Sequence, residues 1–197
     1  RLSHLLATAI RKFVEEKYEI TESLDFRVEA QNPAFTRAYK RLVVSKISEL
    51  AEIAKASIAL EGSWKLGPEE EYDLVRRFEP LLSGESIEEK ARQGKHLEID
   101  KQTFVQWVDA DRQSLETNGE PGFQDIFLYL EELAISLKGR NRAPHAVILS
   151  GRTTRLDFIR HRTAKSLDLP PHRVMTLESL LPDSLKLRLD LALKPVS

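Results

Sequence analysis

The sequence predicts a helix-rich α/β or α+β protein. Most of the chain carries apolar residues at helical spacing, and only a few short runs have the character of strands. One of these runs, at 146–149, leads through a polar turn with a single glycine into another helical pattern. The 197 residues, 41% of them hydrophobic and 31% charged, suffice for one domain or two small ones.

Composition excludes several classes of protein. Lys and Arg number 30 against 31 Asp and Glu, which argues against a general nucleic-acid binder. The absence of cysteine excludes disulfides and thiolate metal sites, as in cytosolic proteins. No apolar run approaches the roughly 20 residues of a membrane span. We therefore expect a cytoplasmic protein with no membrane span and no nucleic-acid partner.

The first third of the chain predicts two long helices. Residues 1–20 place their leucines on one stripe, and a longer pattern follows over 34–60, with Gly62 as its stop. Because the chain begins inside a helical pattern, we expect it to be part of a longer protein. A shorter helix is predicted over 69–82, kinked or ended by Pro80.

A polar segment and a short strand complete the first hundred residues. Residues 83–95 are poor in large apolar side chains and predict a mobile loop or insertion, and 96–100 alternate as a strand does. The acidic groups at 69–71 and 88–89 are expected to be solvated, because consecutive carboxylates diverge around a helix. The sequence thus predicts a helical subdomain over 1–100.

The second half predicts an α/β subdomain over 101–197. Helices are expected over 101–116 and 123–138, the second directing Phe127, Leu133 and other apolar residues inward, and a buried strand at 146–149. A second strand is predicted at 174–175, whereas 176–193 could be helix or strand. The five histidines lack the paired spacing of a zinc site, so neither a metal site nor a catalytic residue is expected.

Four segments carry short motifs in a characteristic order. They are RLSHLLATAIRKFVEEK at 1–17, EIAKAS at 52–57, HLEIDKQTFVQWV at 96–108 and VILSGRTTRLDFI at 147–159. Together they resemble the C-terminal lobe of the nucleotide-binding domain of actin-like ATPases, in particular the DnaK-type heat-shock chaperones, over most of residues 1–169. The resemblance implies one lobe of the ribonuclease H-like actin fold, with a mixed sheet flanked by helices, in which 1–100 correspond to its outer, helical part.

The resemblance implies a nucleotide site made of two segments. Glu52 and Lys55 match the family helix whose polar residues contact the adenosine. Ala56 stands where the family usually has an arginine that stacks on the base, and Ala59 where it has serine. These two departures weaken the match at the adenine.

The glycine turn is the second segment. Gly151, Thr153, Thr154 and Arg155 match the family's G-G-S-[ST]-R turn, whose backbone lies against the ribose and phosphates, while Arg152 replaces its second glycine. This form is similar to divergent chaperone-like proteins labelled bacterial virulence factor SrfB.

The resemblance implies ATP or ADP as ligand, with Mg²⁺ supplied through an N-terminal lobe that precedes Arg1. The chain alone is not expected to hydrolyse ATP, because phosphoryl transfer depends on the metal and on phosphate loops outside it. Its expected partners are the rest of its parent chain and possible protein clients. The alternative is a degenerate lobe that acts as a scaffold or protein-interaction domain without nucleotide.

Overall fold

The computed structural model describes residues 2–25, 28–29, 31, 35–82, 87–112, 121–150 and 156–181. The chain forms two compact units, Arg1–Phe104 and Val105–Ser197. The sequence places the subdomain boundary between residues 100 and 101, four residues before the division between the units.

The first unit is built from helices and one pair of strands. Its two long helices, α1 and α2, pack against each other. The bounds are α1 Leu2–Lys17, α2 Arg37–Glu61, β1 Ser63–Lys65, α3 Pro68–Val75, a 3₁₀ segment Arg76–Leu81, α4 Ile87–Arg92 and β2 Glu98–Asp100, followed by α5 Lys101–Ala110, which begins in this unit.

The α1–α2 pair forms the core of the first unit. Leu6, Ile10 and Val14 recur every four residues on α1 and are completely buried, as the predicted stripe requires. Helix α2 ends at Glu61, and Gly62 follows with φ of +85°, a left-handed conformation that glycine adopts without steric cost. The predicted helices and the predicted stop at Gly62 are confirmed.

Two predictions for the middle of this unit are wrong. The segment 69–82 is not one helix, because α3 ends at Val75 and a 3₁₀ segment continues to Leu81. A continued α-helix would leave the Arg76 carbonyl without a donor, since Pro80 has no N–H. The predicted loop at 83–95 contains α4, in which Arg92 pairs with Glu88 at 2.7 Å.

Strands β1 and β2 pair antiparallel, with Trp64 opposite Ile99. Both side chains are buried, so this small sheet has one face on the core. The predicted strand at 96–100 is confirmed over its last three residues, whereas β1 has no counterpart in the sequence prediction.

The second unit contains a parallel pair of strands with helices. Strands β3 and β4 align Val147 with Val174 and Leu149 with Thr176, and α7 lies between them in the chain and packs on β4. The predicted strands at 146–149 and 174–175 are confirmed in position. The bounds are α6 Phe123–Gly139, β3 Val147–Leu149, α7 Asp157–Ser166, a 3₁₀ turn Pro171–Arg173, β4 Val174–Thr176 and a second 3₁₀ turn Leu177–Leu180.

The strands differ from the prediction in two respects. The described residues contain an antiparallel pair in one unit and a parallel pair in the other, rather than a mixed sheet. Strand β3 is not buried, since Ile148 is 55% exposed. The predicted structure of 176–193 lies outside the described residues beyond Leu181.

Helix α6 is less buried than predicted. Phe127 and Ala134 are buried, but Leu133, which was expected to point inward, is 48% exposed. Phe127 and Ala134 lie two turns apart on one line of the helix, and only that line faces the unit. No helix in the described part of the chain is long and apolar enough to cross a membrane.

Candidate functional site

Glu52 and Lys55, the two predicted nucleotide residues of α2, lie together with Ser3 of α1. Lys55 Nζ is 2.6 Å from Glu52 Oε2 and donates a hydrogen bond of 2.9 Å to Ser3 Oγ. The Ser3 hydroxyl in turn donates to Glu52 Oε1. The spacing of three residues puts Glu52 and Lys55 on one face of the helix, and α1 brings in Ser3 from 49 residues away. We call these three residues the Ser3 cluster.

The Ser3 cluster is a preorganised polar surface. The Lys55 side chain is 13% exposed, whereas that of Glu52 is 45% exposed. The Glu52 carboxylate is therefore the more exposed of the two charged groups, and the Lys55 ammonium is largely enclosed. A carboxylate in this setting accepts hydrogen bonds from hydroxyl groups, and a lysine attracts phosphate.

A groove of about 430 Å³ runs along α1 and α2 from the Ser3 cluster. Its apolar walls come from Ala7, Leu24, Val44 and Ile47. Its polar lining is Ser3, His4, Thr8, Arg11, Asp25, Ser48 and Glu52. We call this feature the α1–α2 groove.

The segment after α1 closes the far end of the α1–α2 groove. Arg11 forms an ion pair with Asp25 at 3.4 Å, and the Leu24 N–H donates to the Glu15 carboxylate at 3.0 Å. These contacts fix Leu24, which is completely buried, against α1. The groove is thus closed by an ion pair at one end and bounded by Glu52 at the other.

The glycine turn belongs to the second unit. Its predicted site residues Gly151, Arg152, Thr153, Thr154 and Arg155 lie outside the described residues. The flanking structure is described: β3 ends at Leu149, and α7 begins at Asp157, directly after the buried Leu156. The turn therefore connects the carboxyl end of a parallel strand to the N-terminus of a helix.

A basic residue of α7 is held by α5 and α6. The Arg162 guanidinium pairs with the Asp109 carboxylate and lies 6.0 Å from the centroid of the Phe127 ring. Ser166, one turn further along α7, donates to Glu131 of α6 at 3.2 Å. These contacts give Arg162 a structural role in joining the helices of the second unit.

The structure also contains a buried polar cluster that the sequence prediction missed. Glu71 is 0% exposed, accepts a hydrogen bond of 2.6 Å from the Tyr18 hydroxyl and lies 2.6 Å from Lys17 Nζ. His96 Nδ1 lies 3.5 Å from the other carboxylate oxygen of Glu71. Burial, together with the hydrogen bond to Glu71 and its charge, raises the pKa of Tyr18. We call these four residues the Glu71 cluster.

The expectation that Glu71 is solvated is wrong. Glu71 lies three and four residues before Leu74 and Val75, which are both buried, so all three share the inner face of α3. That spacing is visible in the sequence and could have marked Glu71. Its contacts join the end of α1, the first turn of α3 and the segment before β2, so the cluster stabilises the packing of these three segments.

Metal binding has no candidate among the described residues, where no three Asp, Glu or His side chains converge on one point. The Glu71 cluster offers a single carboxylate beside a lysine, whose positive charge opposes a cation.

No family model matches the chain, and neither a curated protein nor a solved structure matches it. The resemblance to the DnaK-type lobe therefore stays a prediction, which rests on the four sequence motifs and on the predicted order of helices and strands. What the chain binds has to be inferred from its own side chains and their geometry.

Proposed function

We propose that the chain is the ATP-binding lobe of a chaperone-like, actin-fold ATPase and is part of a larger protein. The observation that carries the proposal is the order β3, α7, β4 with the two strands parallel. The sequence between β3 and α7 contains Gly151. Ligands of parallel α/β units bind at the carboxyl ends of the strands, where a helix N-terminus offers backbone N–H groups to phosphates. The turn 150–156 lies at that position of the chain.

The Ser3 cluster supports the same proposal from the first unit. A carboxylate such as that of Glu52 binds the hydroxyls of a nucleotide ribose, and Lys55 beside it suits the neighbouring phosphates. Both residues match the adenosine-contacting helix of the DnaK-type family. We therefore assign ATP and ADP as ligands, with Glu52 and Lys55 as the contacts that the first unit offers. The family resemblance implies residues 151–155 as contacts in the second unit.

Hydrolysis would require the parent protein. The phosphate loops and Mg²⁺ ligands of the family lie in its N-terminal lobe, and they would have to be supplied by the rest of the parent chain. A cytoplasmic location belongs to this proposal and rests on the absence of cysteine.

Calorimetric titration of ATP and ADP into the chain and into its parent tests the proposal. Glu52→Ala and Gly151→Trp should each weaken binding by the parent at least tenfold, because one removes the carboxylate and the other blocks the turn. Glu61→Ala is the matched control, since it removes an exposed carboxylate at the end of the same helix. Absence of binding by the parent at millimolar nucleotide would refute the proposal.

A second function is favoured by α6. This helix exposes large apolar side chains, among them Tyr129 at 68% and Ile135 at 72%. Exposed apolar surface of this kind occurs at protein–protein contacts. A lobe that has lost nucleotide binding, as the departures at Ala56, Ala59 and Arg152 suggest, would serve as a scaffold through such a surface. Nucleotide binding by the parent distinguishes the two functions.

A further inference from the structure

We infer that the α1–α2 groove receives the base of the bound nucleotide, with the ribose at Glu52. The inference rests on the proposed function and adds where the base lies. It departs from the expectation that the base stacks at the position of Ala56, which lies on the exposed side of α2 outside the groove.

The size and lining of the groove suit a nucleoside. Its volume of about 430 Å³ falls within the roughly 300–1,000 Å³ of small-molecule sites. Ala7 faces the groove from α1, and Val44 and Ile47 face it from α2, so a flat ring would contact apolar side chains from both helices. Burying the two faces of an aromatic base against such walls is favourable without a stacking cation.

The lining also contains polar groups that can hydrogen-bond the edge of a base. Thr8 of α1 and Ser48 of α2 carry hydroxyls, each able to donate and to accept a hydrogen bond. Ring nitrogens and an exocyclic amine require this combination of donors and acceptors. A purely aliphatic ligand would form no hydrogen bonds with these hydroxyls.

The closed end and the Ser3 cluster set the direction of the ligand. Arg11 and Asp25 pair with each other at the closed end. Lys55 and Glu52 pair with each other at the other end, where the Glu52 side chain is 45% exposed. In the inferred orientation the base lies toward the closed end and the ribose hydroxyls lie at the Glu52 carboxylate.

Filling the groove tests the inference. Ala7→Phe places a ring in the groove one helical turn from Ser3, and Ala9→Phe adds the same ring to α1 outside the groove lining. Adenosine and ATP are titrated calorimetrically into the full 197-residue chain and its two variants, after far-UV circular dichroism has confirmed their helix content. We expect Ala7→Phe to weaken both ligands at least tenfold and Ala9→Phe to change them less than twofold.

A measurement on the unaltered chain covers the case in which Ala7→Phe fails to fold. Nuclear Overhauser effects should connect the adenine protons of added adenosine with the methyl groups of Val44 and Ile47. Their absence at saturating adenosine would overturn the inference.

The outcomes separate this inference from the proposed function. Equal binding of ATP by all three proteins would place the base elsewhere and overturn the inference, while leaving the proposed function intact. Failure of the chain to bind adenosine would also overturn it, because the groove would then not hold a nucleoside by itself. Failure of the parent to bind ATP is the separate result that refutes the proposed function.

Discussion

Replacing Glu71 should strongly destabilise the first unit. Glu71→Ala leaves the buried Tyr18 hydroxyl without its acceptor and the Lys17 ammonium without its counter-ion. Breaking a buried charged pair by removing one partner costs about 3–5 kcal/mol. Because the Lys17 Nζ atom is itself buried, the whole of this range, about 3–5 kcal/mol, applies.

Two companion variants separate charge from shape. Glu71→Gln keeps an acceptor oxygen and the side-chain volume, so we expect a smaller loss of about 1–3 kcal/mol. Glu69→Ala removes an exposed carboxylate from the same turn of α3 and should change stability by no more than about 0.5 kcal/mol.

Urea unfolding followed by tryptophan fluorescence measures these differences. The chain has two tryptophans, of which Trp64 is buried in the first unit and Trp107 belongs to the second. A Trp107→Phe background therefore reports on the first unit alone. If the free energy of unfolding of Glu71→Ala lies within 0.5 kcal/mol of that of its background, with an unchanged denaturant slope, the Glu71 cluster does not stabilise the packing of the first unit.

Two further changes concern local electrostatics and backbone. Burial alone would raise the pKa of Asp73, but a hydrogen bond from Lys46 and the charges of Lys46, Arg76 and Arg77 lower it. The ionised Asp73 therefore contributes its full stabilisation above about pH 4, and this contribution is lost as the pH falls through its lowered folded-state pKa. Asp73→Asn removes the titrating group, so the free energy of unfolding measured in urea should decline less steeply below about pH 4. Gly62→Ala forces a residue with a side chain into the left-handed conformation and should lower the free energy of unfolding, measured by thermal melting, by about 1–2 kcal/mol. Gly139→Ala is the control at the end of α6, where an added Cβ would contact nothing, and it should be neutral or mildly stabilising. Equal melting temperatures for these two glycine variants would contradict the backbone argument.

The long helices could be predicted because their information is local. In α1 the buried leucines and isoleucine recur with the helical period, and at the end of α2 Gly62 supplies the left-handed residue that stops a helix. Neither signal depends on what packs against the helix.

Two short elements, β1 and α4, could not be predicted, because tertiary contacts stabilise them. Strand β1 has three residues and exists through its pairing with β2, where Trp64 meets Ile99 across 35 positions of sequence. Helix α4 has six residues, too few for a stable isolated helix, and is anchored by the buried Ala91. For the same reason β3 could be located from its apolar run, but its exposure could not.

The residues of the candidate site likewise divide into those that could be predicted from local sequence and those that depend on tertiary packing. Glu52 and Lys55 could be placed on one face of a helix because they are three residues apart. Ser3, which hydrogen-bonds both, follows only from the packing of α1 on α2. The α1–α2 groove is likewise a product of that packing and has no signature in the sequence.

The groove changes what the departures from the family motif imply. Ala56 counts against nucleotide binding only if the base needs the arginine that the family has there. A base enclosed between α1 and α2 has apolar contacts on both faces and does not need it. Arg152 remains as the departure that bears on function, because it occupies the turn that would meet the phosphates.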